Sequence, residues 1–238
     1  VPITVHLTID KDSAEVDFTG CPDQVRSFMN SPYANTVACT NVAFLYLSDD
    51  RQGQNDGSAR AITVRTRKGS IVDCVAPMPV TGCTTFTGAV IIEAVLRALE
   101  KAAPEGSLAG FARRFRFVIA GKDRDEKDYI WHYFSNRGGA GGNTREDGWT
   151  NLGCIHNPGG SLSPSIERTE AGFPFLVESY ELNADSGGAG RRRGGLGGIY
   201  ALRYEGAKDA LLNAAGEGLI VTPYGVDGGD PGAVHNYR

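Results

Sequence analysis

The chain has 238 residues, 41% of them hydrophobic and 22% charged, with a formal charge of −4. That length is ample to bury a core, and the composition is globular and not disordered. The acidic balance argues against a general nucleic-acid binder, and no run of 18 apolar residues exists to form a spanning helix.

Ile3, Val5, Leu7 and Ile9 alternate at period two and predict one face of a strand. Lys11-Asp12 then reads as a turn, with a returning strand over residues 14–19. Ser31-Pro32 predicts a helix start, Ser as the cap and Pro at the first helical position, running to about Leu47. Asp49-Asp50 opens a polar loop that lasts to Gly57. Residues 61–67 and 70–75 read as strands flanking the Lys68-Gly69 turn.

The clearest helix spans residues 87–103. Glu93, Arg97, Glu100 and Lys101 fall on one stripe, expected to be wet, and Val90, Ile91, Val95, Leu96 and Leu99 cover the remainder. Pro104 and Gly106 end it. Residues 115–119 and 129–134 predict strands joined by a charged turn. A strand is also expected at 175–182 and another at 199–205. The expected fold class is α+β, mixed, with largely antiparallel sheets, a few packed helices and two long glycine-rich loops, over residues 1–238 as a single portion.

Glycine is the compositional outlier, with 32 residues against a usual share of roughly 7%. Most lie between residues 138 and 232, without a collagen-like repeat. Ordered loops that need left-handed φ are the expectation. Loops this long are functional or ordered by a partner.

Five cysteines, Cys21, Cys39, Cys74, Cys83 and Cys154, are odd in number and irregularly spaced. No C-x-x-C pair occurs, so neither a zinc ribbon nor a thioredoxin motif fits. No N-glycosylation sequon is present either, and a reducing, cytoplasmic location is expected. The chain begins at Val1 in a strand-like stretch and stops abruptly. It reads as a segment of a longer polypeptide, a processed full-length subunit being the other reading.

The familiar catalytic signatures are missing: no Walker-type G-x-x-x-x-G-K-[ST], no G-x-G-x-x-G, no H-E-x-x-H and no G-x-S-x-G. His156 follows Cys154 in a loop, but spacing offers no further metal ligand. Residues 136–142 carry Gly138 and Gly139. Without Cβ atoms they let the backbone approach an anion or another chain, or they form an irregular turn. Glu167 and Glu170 form either an acid/base or ligand pair, or a capping arrangement with Ser165 at a helix start. Residues 185–198 resemble an RNA-binding RGG segment in composition. A single copy in an acidic protein fits better a rigid loop that directs Arg191–Arg193 at carboxylates, phosphate or a partner subunit.

Three stretches together resemble the hydantoinase B subunit family, which includes half of ATP-dependent oxoprolinase and subunits of acetone and acetophenone carboxylases. The first is Val16-Asp17-Phe18-Thr19-Gly20 with Asn30-Ser31-Pro32. The second is the glycine segment 138–142 with Asp147-Gly148. The third runs from Ser165-Ile166-Glu167-Arg168-Thr169-Glu170 through Phe173-Pro174 and Tyr180-Glu181-Leu182 to the segment 185–197. Cys21 departs from the family's usual threonine, and Ala61 from the proline that commonly follows the arginine. Members are typically longer, so the chain resembles a C-terminal portion of such a subunit.

The resemblance implies a B-type subunit of an ATP-dependent cyclic-amide hydrolase acting on a small-molecule substrate. The alternatives are the matching subunit of an ATP-dependent ketone carboxylase, or a non-catalytic scaffold. It implies a hetero-oligomer with a hydantoinase A-type ATPase subunit that holds ATP and magnesium. A divalent metal, if bound, belongs to chain outside these residues. Neither nucleic acid nor membrane is an expected partner. Polarity within the matching motifs singles out Asp147, Glu167, Glu170 and Asp185 as catalytic candidates, and Gly138, Gly139 and Arg191 for substrate or intermediate. No metal ligand, nucleophile or general base is assigned within the chain.

Overall fold

Lys11, at φ 52°, closes an antiparallel hairpin of β1 (His6–Asp10) and β2 (Ser13–Asp17). The strand is shorter than the alternation suggested, and Ile9 is left exposed. This computed structural model describes residues 1–48, 55–133, 138–160 and 162–237. The expected features at Asp49-Asp50, Phe134, Asn136 and Arg137 lie outside the described residues. The chain divides into two units, Val1–Leu108 and Ala109–Arg238.

In the first unit, β3 (Ile62–Arg65) pairs parallel with β2, giving the order β1-β2-β3. Helix α1 (Tyr33–Leu45) packs on α3 (Gly88–Leu99), and the short α2 (Asp56–Arg60) leads into β3. The buried face of α1 is Thr36, Cys39, Thr40 and Ala43, a helical spacing. Its hydroxyls are satisfied: Thr36 Oγ1 donates to the Val72 carbonyl at 2.6 Å, outside the helix, and Thr40 Oγ1 to the Thr36 carbonyl at 2.9 Å. Pro32, not Ser31, occupies the N-cap position, and no side chain caps the helix. Ser31 is buried instead, its hydroxyl 3.0 Å from that of Thr36.

Residues 70–75 do not form the expected strand. Backbone bonds from Asp73 N to the Ser70 carbonyl and from Gly69 N to the Asp73 carbonyl curl the segment into turns, leaving isolated bridges. The long helix also begins differently, with a π-helical turn at Cys83–Thr87 before α3. The expected wet stripe holds only at its C-terminal end. Arg97 and Lys101 are exposed, whereas Glu93 is buried at 3%, as are its helix neighbours Ala89, Ile92 and Leu96. Phe18, Val16, Val72, Phe86, Ile91, Ile92 and Val95 form this unit's core.

The second unit holds two antiparallel sheets. β4 (Phe115–Lys122) lies between β5 (Asp128–Tyr133) and β8 (Leu211–Gly216). β6 (Phe175–Leu182) pairs with β7 (Gly198–Tyr204), with a bulge between Val177 and Ser179. Phe117, Trp131, Tyr133 and Phe175 form a buried aromatic cluster that Phe173, Tyr200 and Tyr204 extend. Trp131 stacks on Phe173 with ring centroids 4.8 Å apart. The α+β expectation with largely antiparallel pairing matches, the β2–β3 pair being parallel.

Candidate functional site

The glycine-rich segments of the second unit are packed backbone against backbone. Ala112 N donates to the Gly139 carbonyl at 3.0 Å, and Gly153 N to the Gly138 carbonyl at 3.1 Å. Ala140 bridges two neighbours: its N–H reaches the Trp149 carbonyl, and its carbonyl accepts Gly195 N, both at 2.9 Å. On another side, Gly194 N donates to the Gly188 carbonyl at 2.9 Å. A Cβ on Gly139 would stand 1.9 Å from the Gly195 carbonyl oxygen, and one on Gly187 would stand 2.1 Å from that of Gly194.

Gly138, Gly139, Gly187, Gly188, Gly194 and Gly195 take no left-handed φ, and close backbone packing is the reason for them; the expected left-handed glycines occur at Gly153 (φ 111°), Gly159, Gly218 and Gly228. An amide nest needs alternating backbone hands, and residues 138–142 do not supply them. Nor is there a phosphate cradle at Gly139, whose open side is filled by Gly195.

The contacts recur every third residue. Asp147 Oδ1 accepts the Arg193 amide at 3.0 Å, and Gly148 N donates to the Arg193 carbonyl at 2.7 Å. Three residues on, Thr150 Oγ1 accepts the Leu196 amide at 3.2 Å, and Asn151 N donates to the Leu196 carbonyl at 2.9 Å.

The expected site residues have separate surroundings. Asp147 also meets the Arg193 guanidinium at 3.5 Å. Chiefly through the Arg193 amide, its carboxyl is held below the usual carboxylate range. Glu167 lies in the first turn of α4 (Ile166–Gly172), which Ser165 caps by accepting the Arg168 amide at 3.2 Å. Glu170 Oε1 accepts the Val177 amide at 2.8 Å, beside the bulge in β6. Asp185 takes a left-handed φ of 57° in the turn after β6. Arg191 is exposed on the stretch just before Arg193. Gly138 and Gly139 lie inside the backbone packing. Among the described residues, no hydrogen bond or ion pair joins any two of the four carboxylates.

Sequence reasoning missed several neighbours. Tyr133, Ser163, Pro164, Ile166, Tyr180 and Tyr200 line a small cleft. Asn151 Nδ2 donates to the Tyr180 hydroxyl at 3.3 Å behind it. Burial pushes the Tyr200 phenol up, against a hydrogen bond with Thr169. Arg114 approaches Cys154 Sγ at 3.9 Å, and burial together with Arg114 lowers the pKa of His156. The available signal was the threefold spacing of Asp147 with Thr150 and of Arg193 with Leu196. Among the described residues, no group of three or more His, Cys, Asp or Glu is arranged to hold a metal ion. Among them, too, no helix is long and apolar enough to cross a membrane.

The family model for hydantoinase B/oxoprolinase matches residues 1–238. The chain belongs to this family. It is 32% identical over 231 residues to the caprolactamase subunit beta of Pseudomonas jessenii, covering 95% of this chain and 39% of that one. The crystal structure of ATP-dependent caprolactamase from the same organism superposes with a TM-score of 0.79 at 28% identity, over 98% of this chain and 44% of that one. A nucleotide-free acetone carboxylase structure shares the fold, with a TM-score of 0.77 at 22% identity, over 97% of this chain and 31% of that one. The chain thus spans about two fifths of the length of the caprolactamase subunit.

Proposed function

We propose that this chain is part of the B-type subunit of an ATP-dependent cyclic-amide hydrolase. The observation that carries the reading is the family match over residues 1–238, joined to 32% identity with a caprolactamase subunit. A lactam carbonyl is a poor electrophile, and phosphorylation of its oxygen by ATP activates the carbon to water. In this reading ATP and magnesium sit on an A-type partner subunit. The backbone packing around Gly139, which leaves no phosphate cradle there, supports that division.

The phosphorylated intermediate is anionic and prone to hydrolysis, so it needs a water-excluding path. Arg191, presented by the packed backbone that contains Gly138 and Gly139, is assigned to hold it. Asp185 is the candidate for proton transfer, because Glu170 and Asp147 are both engaged by backbone amides and Glu167 is held by its own amide and the Ser165 hydroxyl, which lower its pKa. A ketone carboxylase subunit is the second reading, favoured by the fold shared with acetone carboxylase.

ATP hydrolysis by the complete subunit pair, assayed against lactams, hydantoins and ketones with and without bicarbonate, tests both. Stimulation by a cyclic amide with release of its opened acid supports the hydrolase. Stimulation by a ketone only with bicarbonate replaces it with the carboxylase. Arg191→Ala variants that assemble and turn over like the wild type would remove the arginine from the site and favour a scaffold role.

A further inference from the structure

Asp147 and Gly148 bracket a single residue from both sides. The carboxylate takes the Arg193 amide, and the next residue's N–H gives to the Arg193 carbonyl. The pair Thr150-Asn151 repeats this on Leu196. Between the two brackets, Gly195 N is tied to the Ala140 carbonyl and Gly194 N to the Gly188 carbonyl. The stretch 193–196 is therefore gripped from three directions, and the conformation of the residues just before it depends on the first grip.

We infer that Asp147-Gly148 is a backbone clip that sets the presentation of Arg191 and Arg192, so that Asp147 is a positioning residue and not a proton-transfer group. This rests on the assignment of Arg191 above. Three observations carry it. Both Asp147 oxygens have a partner on Arg193. The partner lies 46 positions away in sequence, so the bond ties two segments together. The adjacent Gly148 is packed against backbone with no room for a side chain, because a Cβ there would lie 2.1 Å from the Ala140 carbonyl oxygen. The Arg193 amide also holds the carboxyl below its usual range, which favours the ionised form that accepts both Arg193 contacts.

Asp147→Asn and Asp147→Ala in the full-length protein separate a clip from an acid or base. The asparagine keeps an oxygen for the Arg193 amide and the alanine does not. Amide hydrogen exchange over residues 190–196 is expected to stay within about threefold of wild type in D147N and to rise by about tenfold or more in D147A. Coupled turnover of D147N is expected to keep its pH profile, while D147A raises KM about tenfold with kcat retained.

A loss of kcat of about 100-fold in D147N, with exchange unchanged, overturns the inference in favour of proton transfer. Unchanged exchange in D147A also overturns it. Arg191→Ala separates the two levels. If R191A leaves KM unchanged while D147A still raises exchange, the functional reading fails and the clip stands.

Discussion

The Cα of Gly139 faces the backbone of Gly195 so closely that a Cβ would lie 1.9 Å from the Gly195 carbonyl oxygen and 2.2 Å from its carbonyl carbon. A backbone atom cannot swing away as a side-chain tip can. The pair therefore fixes the distance between the two glycine segments, and with it the place of Arg193.

Gly139→Ala should accordingly destabilise the second unit by about 1–3 kcal/mol or more, the range of overpacking in a well-filled interior. Gly172 is the matched control. It ends α4, nothing lies within 4 Å of its Cβ position, and its φ is not left-handed. Gly172→Ala should be neutral or stabilise by roughly 0.4–1 kcal/mol through loss of unfolded-state freedom. Denaturant melts of both variants check the contrast. Equal effects would mean that the glycine packing is loose.

Asn30 should be nearly irreplaceable. It is fully buried. Its Oδ1 accepts the Val25 amide at 2.8 Å, and its Nδ2 donates to the carbonyls of Val25 and Ser27 at 2.8 Å and of Pro79 at 3.1 Å. Asn30→Ala strands these groups away from water, at roughly 1–3 kcal/mol for each one left unsatisfied. Asn30→Asp keeps the acceptor but replaces the donor with a buried charge, and should be no better. Thermal melts of the two variants test this, and a Tm within a degree or two of wild type for either would contradict it.

The N-cap of α4 makes a smaller, cleaner prediction. Ser165→Ala removes the acceptor for the Arg168 amide. The Thr169 hydroxyl keeps its bond to the Ser165 carbonyl at 3.1 Å. A loss of about 1 kcal/mol is expected, recoverable with Ser165→Asp, which restores a cap. Failure of aspartate to recover stability in denaturant melts would point to packing of Ser165 and not to capping.

What was legible in the sequence was local. Alternation marked the first hairpin and β6, and Ser165 three residues before Arg168 marked the start of α4. β8 went unread because Leu211 and Leu212 are adjacent and the rest is small, so no period-two pattern exists. Residues 70–75 carried apolar side chains, yet the Ser70–Asp73 turn claimed the backbone. Glu93 falls on the wet stripe by helix geometry alone, which cannot see what packs over that position in the fold. At the site, Asp147 and Arg193 were both noticed, but their contact spans 46 positions and no local rule joins them. Left-handed φ accounts for Gly153, Gly159, Gly218 and Gly228, whereas at Gly139, Gly187 and Gly195 the reason is close approach of backbone, which composition does not reveal.

Acid should weaken this protein through its histidines. Burial, reinforced by Arg114, lowers the pKa of His156 from the ordinary 6.5, and its Nδ1 is buried without a hydrogen-bond partner among the described residues. Burial likewise lowers His132 and His235, so all three act in the same sense. The folded state favours neutral imidazole, and the unfolded state takes up the proton first. Stability is then independent of these groups well above pH 6.5 and falls as the pH drops from there towards the lowered folded values. His156→Gln removes one such group, so its denaturation midpoint should decline less than that of the wild type between pH 7.5 and pH 5.5. A variant whose midpoint tracks the wild type across that interval would show that His156 is protonated as easily in the folded chain as in the unfolded one.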